Sequence, residues 1–356
     1  MRPNAELAAT ASRLQGAAEK GPAPGETAQQ LSALKVMVGD VIARVEETLP
    51  RLADGGPGVA GQAARHLLAA GGKRVRPLLV VLSARTLGGV ARLDGAEESL
   101  AQSAELVHAA TLLHDDVLDD GRVRRGVPAA RVLWGNAASV LGGDFLLVRA
   151  LELTAATRVP GALDELLLAI GRMIDGEALQ LAHRGRADLT VDGYRSVVDG
   201  KTASLFAWCG RAGARLQAAD DSVAEALGMY GLHLGRAFQI VDDVLDVEGD
   251  PQTLGKSVLV DLHEGKLTLP VIYALEKEPK LRAELEAASC DDEPGALADE
   301  VAQAVRKHRG AERARADAVR ETTLAEAAIK RIEGKGGRPY REALSLIARE
   351  LCARAS

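Results

Sequence analysis

Residues 105–119 read ELVHAATLLHDDVLD and residues 235–246 read GRAFQIVDDVLD, so the pentapeptide Asp-Asp-Val-Leu-Asp occurs twice, at 115–119 and 242–246. Each copy closes an apolar run. Leu106, Val107, Leu112 and Leu113 precede the first, and Leu234, Phe238, Ile240 and Val241 the second. Apolar residues at three- and four-residue steps predict helices. On a helix, positions i and i+4 lie one turn apart on the same face. Asp115 therefore pairs with Asp119 and Asp242 with Asp246, with Asp116 and Asp243 beside them. Like charges at that spacing destabilise a bare helix. Hard oxygen ligands clustered this way suit Mg²⁺, which keeps several waters and is shared with substrate phosphates. One such cluster reads equally well as solvated surface at a helix end. Two identical copies, each behind apolar turns, weigh against that.

The same helical period runs outward from these segments, through 100–118, 140–153, 162–181, 223–247 and 340–352. It also runs through Leu34, Val36, Met37, Val41, Ile42 and Val45. Alternating strand patterns are nearly absent. Breaks at Gly71-Gly72, 121–128, Pro160-Gly161, 185–190, 249–255 and Pro294-Gly295 are too short to be linkers. Residues 1–31, interrupted by Pro22, Pro24 and Gly25, read as a flexible extension. Residues 32–356 are expected to form one all-α domain, larger than most single-core domains.

Composition narrows the class. Of 356 residues, 47% are hydrophobic, enough to bury a core, while 3% are aromatic and the net charge is −6. An acidic chain poor in rings does not suit nucleic acid. No apolar run approaches the roughly 18 residues of a membrane span. Cys209, Cys290 and Cys352 are odd in number and widely spaced, unlike a disulfide framework or zinc cluster. With no apolar segment near Met1, a soluble protein of a reducing compartment is expected.

Cations complement the acidic clusters. Gly71-Gly72-Lys73-Arg74-Val75-Arg76-Pro77 opens a helix after a glycine turn, where backbone and cationic side chains can approach phosphate oxygens. Arg124-Arg125-Gly126 follows the first cluster by one short loop. Lys201-Thr202, Lys256 and Lys266 add further charges, each taken singly an ordinary solvated lysine. Two acidic metal sites and scattered Lys and Arg together suggest a diphosphate held by several Mg²⁺ ions between helices.

These segments resemble the trans-isoprenyl diphosphate synthases of the polyprenyl synthetase family. The resemblance is carried by GGKRVRP (71–77), 105–119, RVRRGVPAARVLWGNAASVLGGDFLL (122–147), DGEALQL (175–181), GKTASLF (200–206), 235–246 and LGKSVLVDLHEGKLTLP (254–270). The wording of ATLLHDDVLD (110–119) and WGNAASVLGGDF (134–145) is most like the long-chain, octaprenyl branch. The resemblance implies a single large helical bundle with a central apolar cavity, a homodimer, and about three Mg²⁺ per active site with substrate bound. It implies that Asp115, Asp116 and Asp119 hold Mg²⁺ on an allylic diphosphate that Arg124 contacts. Asp242, Asp243 and Asp246 would hold a further Mg²⁺, assisted by Lys201, Thr202, Gln239 and Lys256. Lys73, Arg76, His108 and Arg125 would bind isopentenyl diphosphate. Two positions depart from the family pattern: Arg131 stands where many members have His, and Leu259 where a Gly is usual.

The implied reaction is ionisation, condensation and elimination, with no general base evident and the released diphosphate taking the proton. Ala110 and Thr111 lie about one turn above Asp115, with Ala110 about 7 Å along the helix. Being small where short-chain relatives carry aromatics, they predict a long product; they also suit close helix packing. His108 reads as either a ligand or a core histidine, and His114 as either a supporting or a structural residue. Trp134, Trp208 and the three Phe read as core. A short- or medium-chain synthase, a terpene cyclase and a non-catalytic subunit of a heteromeric synthase are the alternatives. A protein in the cytoplasm that visits a membrane to release a lipid product is expected, though no basic amphipathic anchor marks one.

Overall fold

The computed structural model describes residues 37–88, 95–248, 259–288, 297–332 and 337–353. The expected extension 1–31, Lys256 and Cys290 lie outside them. Among the described residues the only strands are two antiparallel pairs of residues, β1 (Val123–Arg124) and β2 (Val127–Pro128), and nearly everything else is helical. All five helical spans and the breaks at 71–72, 121–128, 160–161 and 185–190 appear where the apolar period places them.

The chain divides into two compact units, each built from three segments. The first comprises residues up to Leu167 with 208–228 and 331–346. It contains α1 (37–48), α2 (Gly58–Ala69), α3 (Val75–Arg85), α4 (Ala96–Leu118), the β1–β2 hairpin, α5 (Ala130–Trp134) and α6 (Asn136–Ala156). Helices α4 and α6 pack along their lengths because small residues line the seam. A Cβ on Gly142 would lie 3.4 Å from Leu113 Cδ1, and one on Gly143 3.0 Å from the Ala110 carbonyl. Leu100, Ala101, Ala104, Leu106, Ala109 and Leu113 of α4 are fully buried. The core is filled by Ala, Leu and Val, so the low aromatic content costs no burial.

The second unit comprises 168–207, 229–330 and residues from Ile347. It contains α8 (Val191–Val198), α11 (Val260–His263), α12 (Leu269–Leu275), α13 (Pro279–Ala288), α14 (Ala298–Lys307) and α15 (Gly310–Ile329), while α7 (Ala162–Ala182), α9 (Ser204–Leu216), α10 (Asp221–Glu248) and α16 (Arg338–Ala353) each contribute residues to both units. Between α8 and α9, residues Asp199–Ala203 widen into a π-helical turn, a feature that tends to mark functional sites. Leu262, Val271, Ala274, Leu275, Val301 and Val305 form one apolar cluster, and Leu259 joins it at 4% exposure. Leu259 has φ +60°, a left-handed backbone that glycine adopts at no steric cost and other L-residues at about 1–2 kcal/mol. That geometry gives a reason for the usual Gly; here burial of the Leu side chain offsets the strain.

Of the residues expected in the core, Trp208 and Phe206 are buried, whereas Trp134, Phe145 and Phe238 are only half-buried. Trp134 instead meets His66 edge-on at 5.3 Å, and Phe238 leans on Phe206 at 5.6 Å. Cys209 is fully buried and Cys352 half-buried, both as thiols.

Leu113 lies two residues before Asp115 and is fully buried against α6, its Cδ1 3.4 Å from a Cβ built on Gly142. Leu113→Ala is expected to cost about 3 kcal/mol, read as a lower urea midpoint without loss of helical circular dichroism.

Candidate active site

The two pentapeptides fold alike, each within its own unit. At the C-terminal end of α4, Asp115 and Asp119 are half-buried while Asp116 is wholly buried. Near the end of α10, Asp242 is exposed, Asp246 half-buried and Asp243 2% exposed. The helical step explains this pattern: the i, i+4 pair faces outward, and the second aspartate, rotated by about 100°, turns inward.

Each inward aspartate has its own partners. Asp116 Oδ1 accepts from Arg124 Nε and Nη2, both at 2.8 Å, and Gly121 leaves room beside it. Asp116 Oδ2 is buried with no hydrogen-bond partner. Burial, opposed by the Arg124 charge, pushes the Asp116 carboxyl above its ordinary pKa. In the second unit, Asp243 Oδ2 accepts from Tyr194 Oη at 2.6 Å and the Leu269 amide at 3.1 Å, and Oδ1 from Gln239 Nε2 at 3.0 Å. Thr202 Oγ1 bonds Gln239 Oε1 at 2.9 Å, so three expected residues form one chain. Asp246 Oδ1 accepts from the Val260 amide at 3.0 Å, while its buried Oδ2 has no hydrogen-bond partner. Burial and the nearby Asp261 charge push Asp243 and Asp246 each up to about 7.

Lys201 sits in the π-helical turn and is held from α7, by Glu177 and by Gln180 Oε1 at 2.8 Å. A Cβ on Gly176 would lie 2.4 Å from the Lys201 amide, so the glycine permits that approach. The segment 175–181 thus holds Lys201 in place. Arg236 of α10 forks onto Asp199 at 2.5 and 2.7 Å, fastening the start of the same turn.

The basic residues of the first unit gather around His108. This half-buried imidazole is held well below its ordinary pKa, first by burial and then by the charges of Arg76, Arg125, Arg74 and Arg124. It is neutral at pH 7 and able to accept as well as donate. Lys73 is exposed and Arg76 half-buried. Arg124 ends β1 and Arg125 opens the two-residue turn, where Arg125 and Gly126 both have positive φ, the handedness two-residue hairpin turns prefer. Arg131 reaches back to Asp120 Oδ1 at 2.6 Å and to Asn136 Oδ1 at 3.0 Å, so it ties down the loop after the first cluster. His114 faces α6, 3.2 Å from the Val140 carbonyl and 3.3 Å from Asp144, which is a structural role. Ala110 is 1% exposed, and the Thr111 hydroxyl is bonded to the His108 carbonyl at 2.9 Å.

Both clusters suit a hard divalent cation. Carboxylates in the last turns of a helix face the negative end of its dipole, and each cluster contains one buried oxygen without a hydrogen-bond donor. Among the described residues, no three of His, Cys, Asp and Glu group into a ready-made cage. A cation held here would need further oxygen ligands from outside the protein, which suits Mg²⁺.

A family model described as polyprenyl synthetase matches residues 58–307. The chain is 36% identical to the octaprenyl diphosphate synthase of Escherichia coli over 281 residues, 78% of this chain and 85% of that protein. It is 35% identical to a short chain isoprenyl diphosphate synthase of Methanothermobacter thermautotrophicus over 291 residues, 81% of this chain and 88% of that one. Among solved structures, the polyprenyl synthase of Caulobacter crescentus, complexed with calcium and isoprenyl diphosphate, superposes with a TM-score of 0.82. Its identity is 35%, covering 91% of this chain and 97% of that one. The chain belongs to the polyprenyl synthetase family. It is an all-α prenyltransferase, as the resemblance implied.

The raised carboxyls predict a pH dependence. A group that ordinarily titrates near 3.8 but keeps its proton in the native protein up to about 7 favours folding at low pH. That stabilisation is withdrawn as pH rises from about 4 to about 7. In a metal-chelating buffer the urea midpoint is expected to fall between about pH 5 and pH 8, and Asp246→Asn to flatten the fall. A midpoint that rises over this range in the wild type contradicts the assignment.

Proposed function

We propose that the protein is a Mg²⁺-dependent trans-polyprenyl diphosphate synthase that adds isopentenyl diphosphate head-to-tail to an allylic diphosphate, giving a long-chain product. The observation carrying this reading is the pair of intact carboxylate clusters, each with one buried oxygen awaiting a donor or cation. A non-catalytic subunit commonly loses one of them, and a terpene cyclase differs in the second.

In this reading, Asp115, Asp116 and Asp119, and separately Asp242, Asp243 and Asp246, are the carboxylates for Mg²⁺, about three ions with substrate bound. Mg²⁺, when bound, supplies Lewis-acid charge that stabilises the departing diphosphate. Arg124, Lys201, Thr202, Gln239 and Lys256 add donors to the allylic diphosphate. To reach it, Arg124 and Lys201 exchange their present carboxylates for phosphate oxygens. Lys73, Arg76, His108 and Arg125 bind the diphosphate of isopentenyl diphosphate, and a neutral His108 adds no further charge among four arginines. The isopentenyl double bond attacks the allylic cation, a proton leaves to the released diphosphate, and apolar walls keep water away.

A long product is supported by small Ala110 above Asp115 and by likeness to the octaprenyl synthase. A homodimer is supported by an apolar strip on α5 and α6: Val132, Leu133, Val140, Leu141 and Val148 are each at least 39% exposed. No described helix is long and apolar enough to cross a membrane, and a transient visit for product release is consistent with that.

Purified protein given Mg²⁺, farnesyl diphosphate and labelled isopentenyl diphosphate is expected to elongate the primer. Asp115→Ala and Asp242→Ala should each lower turnover by about a thousandfold, several kcal/mol of charge stabilisation. Cyclised hydrocarbon or full activity in either variant refutes the reading. Ala110→Phe should shorten the product by at least one isoprene unit, analysed by chromatography. Unchanged length removes Ala110 from chain-length control and leaves it as a packing residue between α4 and α6.

A further inference from the structure

Two charged residues within the motifs have no part in the chemistry above: Arg74, between Lys73 and Arg76, and Glu105, which opens the segment 105–119. Both are buried, at 4% and 2% exposure. Arg74 is forked onto Glu46, with Nε to Oε1 at 2.7 Å and Nη2 to Oε2 at 2.9 Å. Its remaining terminal nitrogen, Nη1, donates to Glu105 Oε1 at 2.5 Å. That same oxygen accepts from Arg125 Nη2 at 3.2 Å. Arg125 Nη1 meanwhile donates to the Gly71 carbonyl.

The two guanidiniums press on one glycine. A Cβ on Gly72 would lie 3.0 Å from Arg74 Nη1 and 3.2 Å from Arg125 Cζ. Like charges this close and this buried repel, and a bridging carboxylate is what makes the arrangement tolerable. The two arginines are not equivalent, however. Arg74 already has a complete bidentate partner in Glu46, and its left-handed backbone (φ +47°) fixes it at the start of α3. Arg125 sits in the turn of a two-residue hairpin, also left-handed (φ +53°), and touches one carboxylate. Neutralising Arg74 does not need Glu105; aiming Arg125 does.

We propose that Glu105 is a positioning residue, whose buried Oε1 bridges Arg74 and Arg125 and so holds the Arg125 guanidinium in place to bind the diphosphate of isopentenyl diphosphate. Glu105 acts through Arg125 and touches no substrate. This role rests on the assignment of Arg125 to that diphosphate. It differs from simple charge balance in sign. Removing a nearby negative charge would tighten diphosphate binding if charge alone mattered, and loosen it if orientation does.

Steady-state kinetics with each substrate varied separately decide between these. Glu105→Gln, which keeps shape and loses charge, is expected to raise KM for isopentenyl diphosphate about tenfold. KM for farnesyl diphosphate should stay within about twofold and kcat within about threefold. Glu105→Asp keeps the charge but withdraws the oxygen by one methylene; it is expected to raise the same KM and serves if the Gln variant does not fold. Glu46→Gln, which removes a partner of Arg74 alone, is expected to lower the melting temperature without moving that KM. An unchanged or lower isopentenyl diphosphate KM in the Glu105 variants overturns the proposal, as does an equal rise in Glu46→Gln. Arg125→Ala separates the two levels. If it leaves the isopentenyl diphosphate KM untouched, the assignment of Arg125 is wrong and the proposal falls with it. If it raises that KM while the Glu105 variants do not, only the role of Glu105 is lost.

Discussion

Three carboxylates placed in the closing turns of a long helix face the negative end of the helix dipole and one another, and both effects oppose their ionisation. The protein accepts this twice, at the ends of α4 and α10. Much of the surrounding structure is organised by it. In each copy one aspartate is turned fully inward and hydrogen-bonded, while the other two are half-buried or exposed. The inward residue fastens the helix end to its unit. The acidic ends are thus tolerated in the free protein through hydrogen bonding despite the cost of burial, and a bound cation would relieve the remaining charge.

The two units reach this balance by different means. In the first, a guanidinium does it: Arg124 places two nitrogens on one oxygen of Asp116. In the second no arginine touches Asp243; a phenol, an amide side chain and a backbone N–H share its two oxygens. Neutral donors offset burial less than a full charge does. Asp243 is accordingly pushed up to about 7, with Asp261 adding to the effect. A similar economy governs the cations. Arg74 is committed to structure by Glu46 and Glu105.

Much of this was legible in one sequence because it is local. The 3.6-residue period located all five long helical spans, the i, i+4 spacing paired the outer aspartates, and glycines marked the turns. Applied once more, the same period also turns Asp116 and Asp243 inward. What could not be read were their partners. Tyr194 stands 49 residues from Asp243, and Glu46 stands 28 from Arg74. Glu177 lies within a noticed motif, yet its pairing with Lys201 depends on how α7 passes the π-helical turn. Composition likewise misled about rings: Trp134, Phe145 and Phe238 are large apolar residues whose helices turn them only partly inward.

By itself, then, the sequence determined the helical class, the two acidic clusters and the family, because each is written in spacing along a chain that repeats every few residues. Only the tertiary structure decided which charged groups are buried as braces and which stay exposed. Within a single heptapeptide, 71–77, Lys73 is exposed and Arg74 buried. Both are cations, and although a guanidinium suits a buried bidentate pair better than an ammonium does, spacing along the chain does not show which one is buried. The difference comes from a left-handed backbone at Arg74, a half-buried glutamate from α1 and a buried one from α4. A buried charge survives only where packing brings an opposite one to it, and that meeting is a property of the fold.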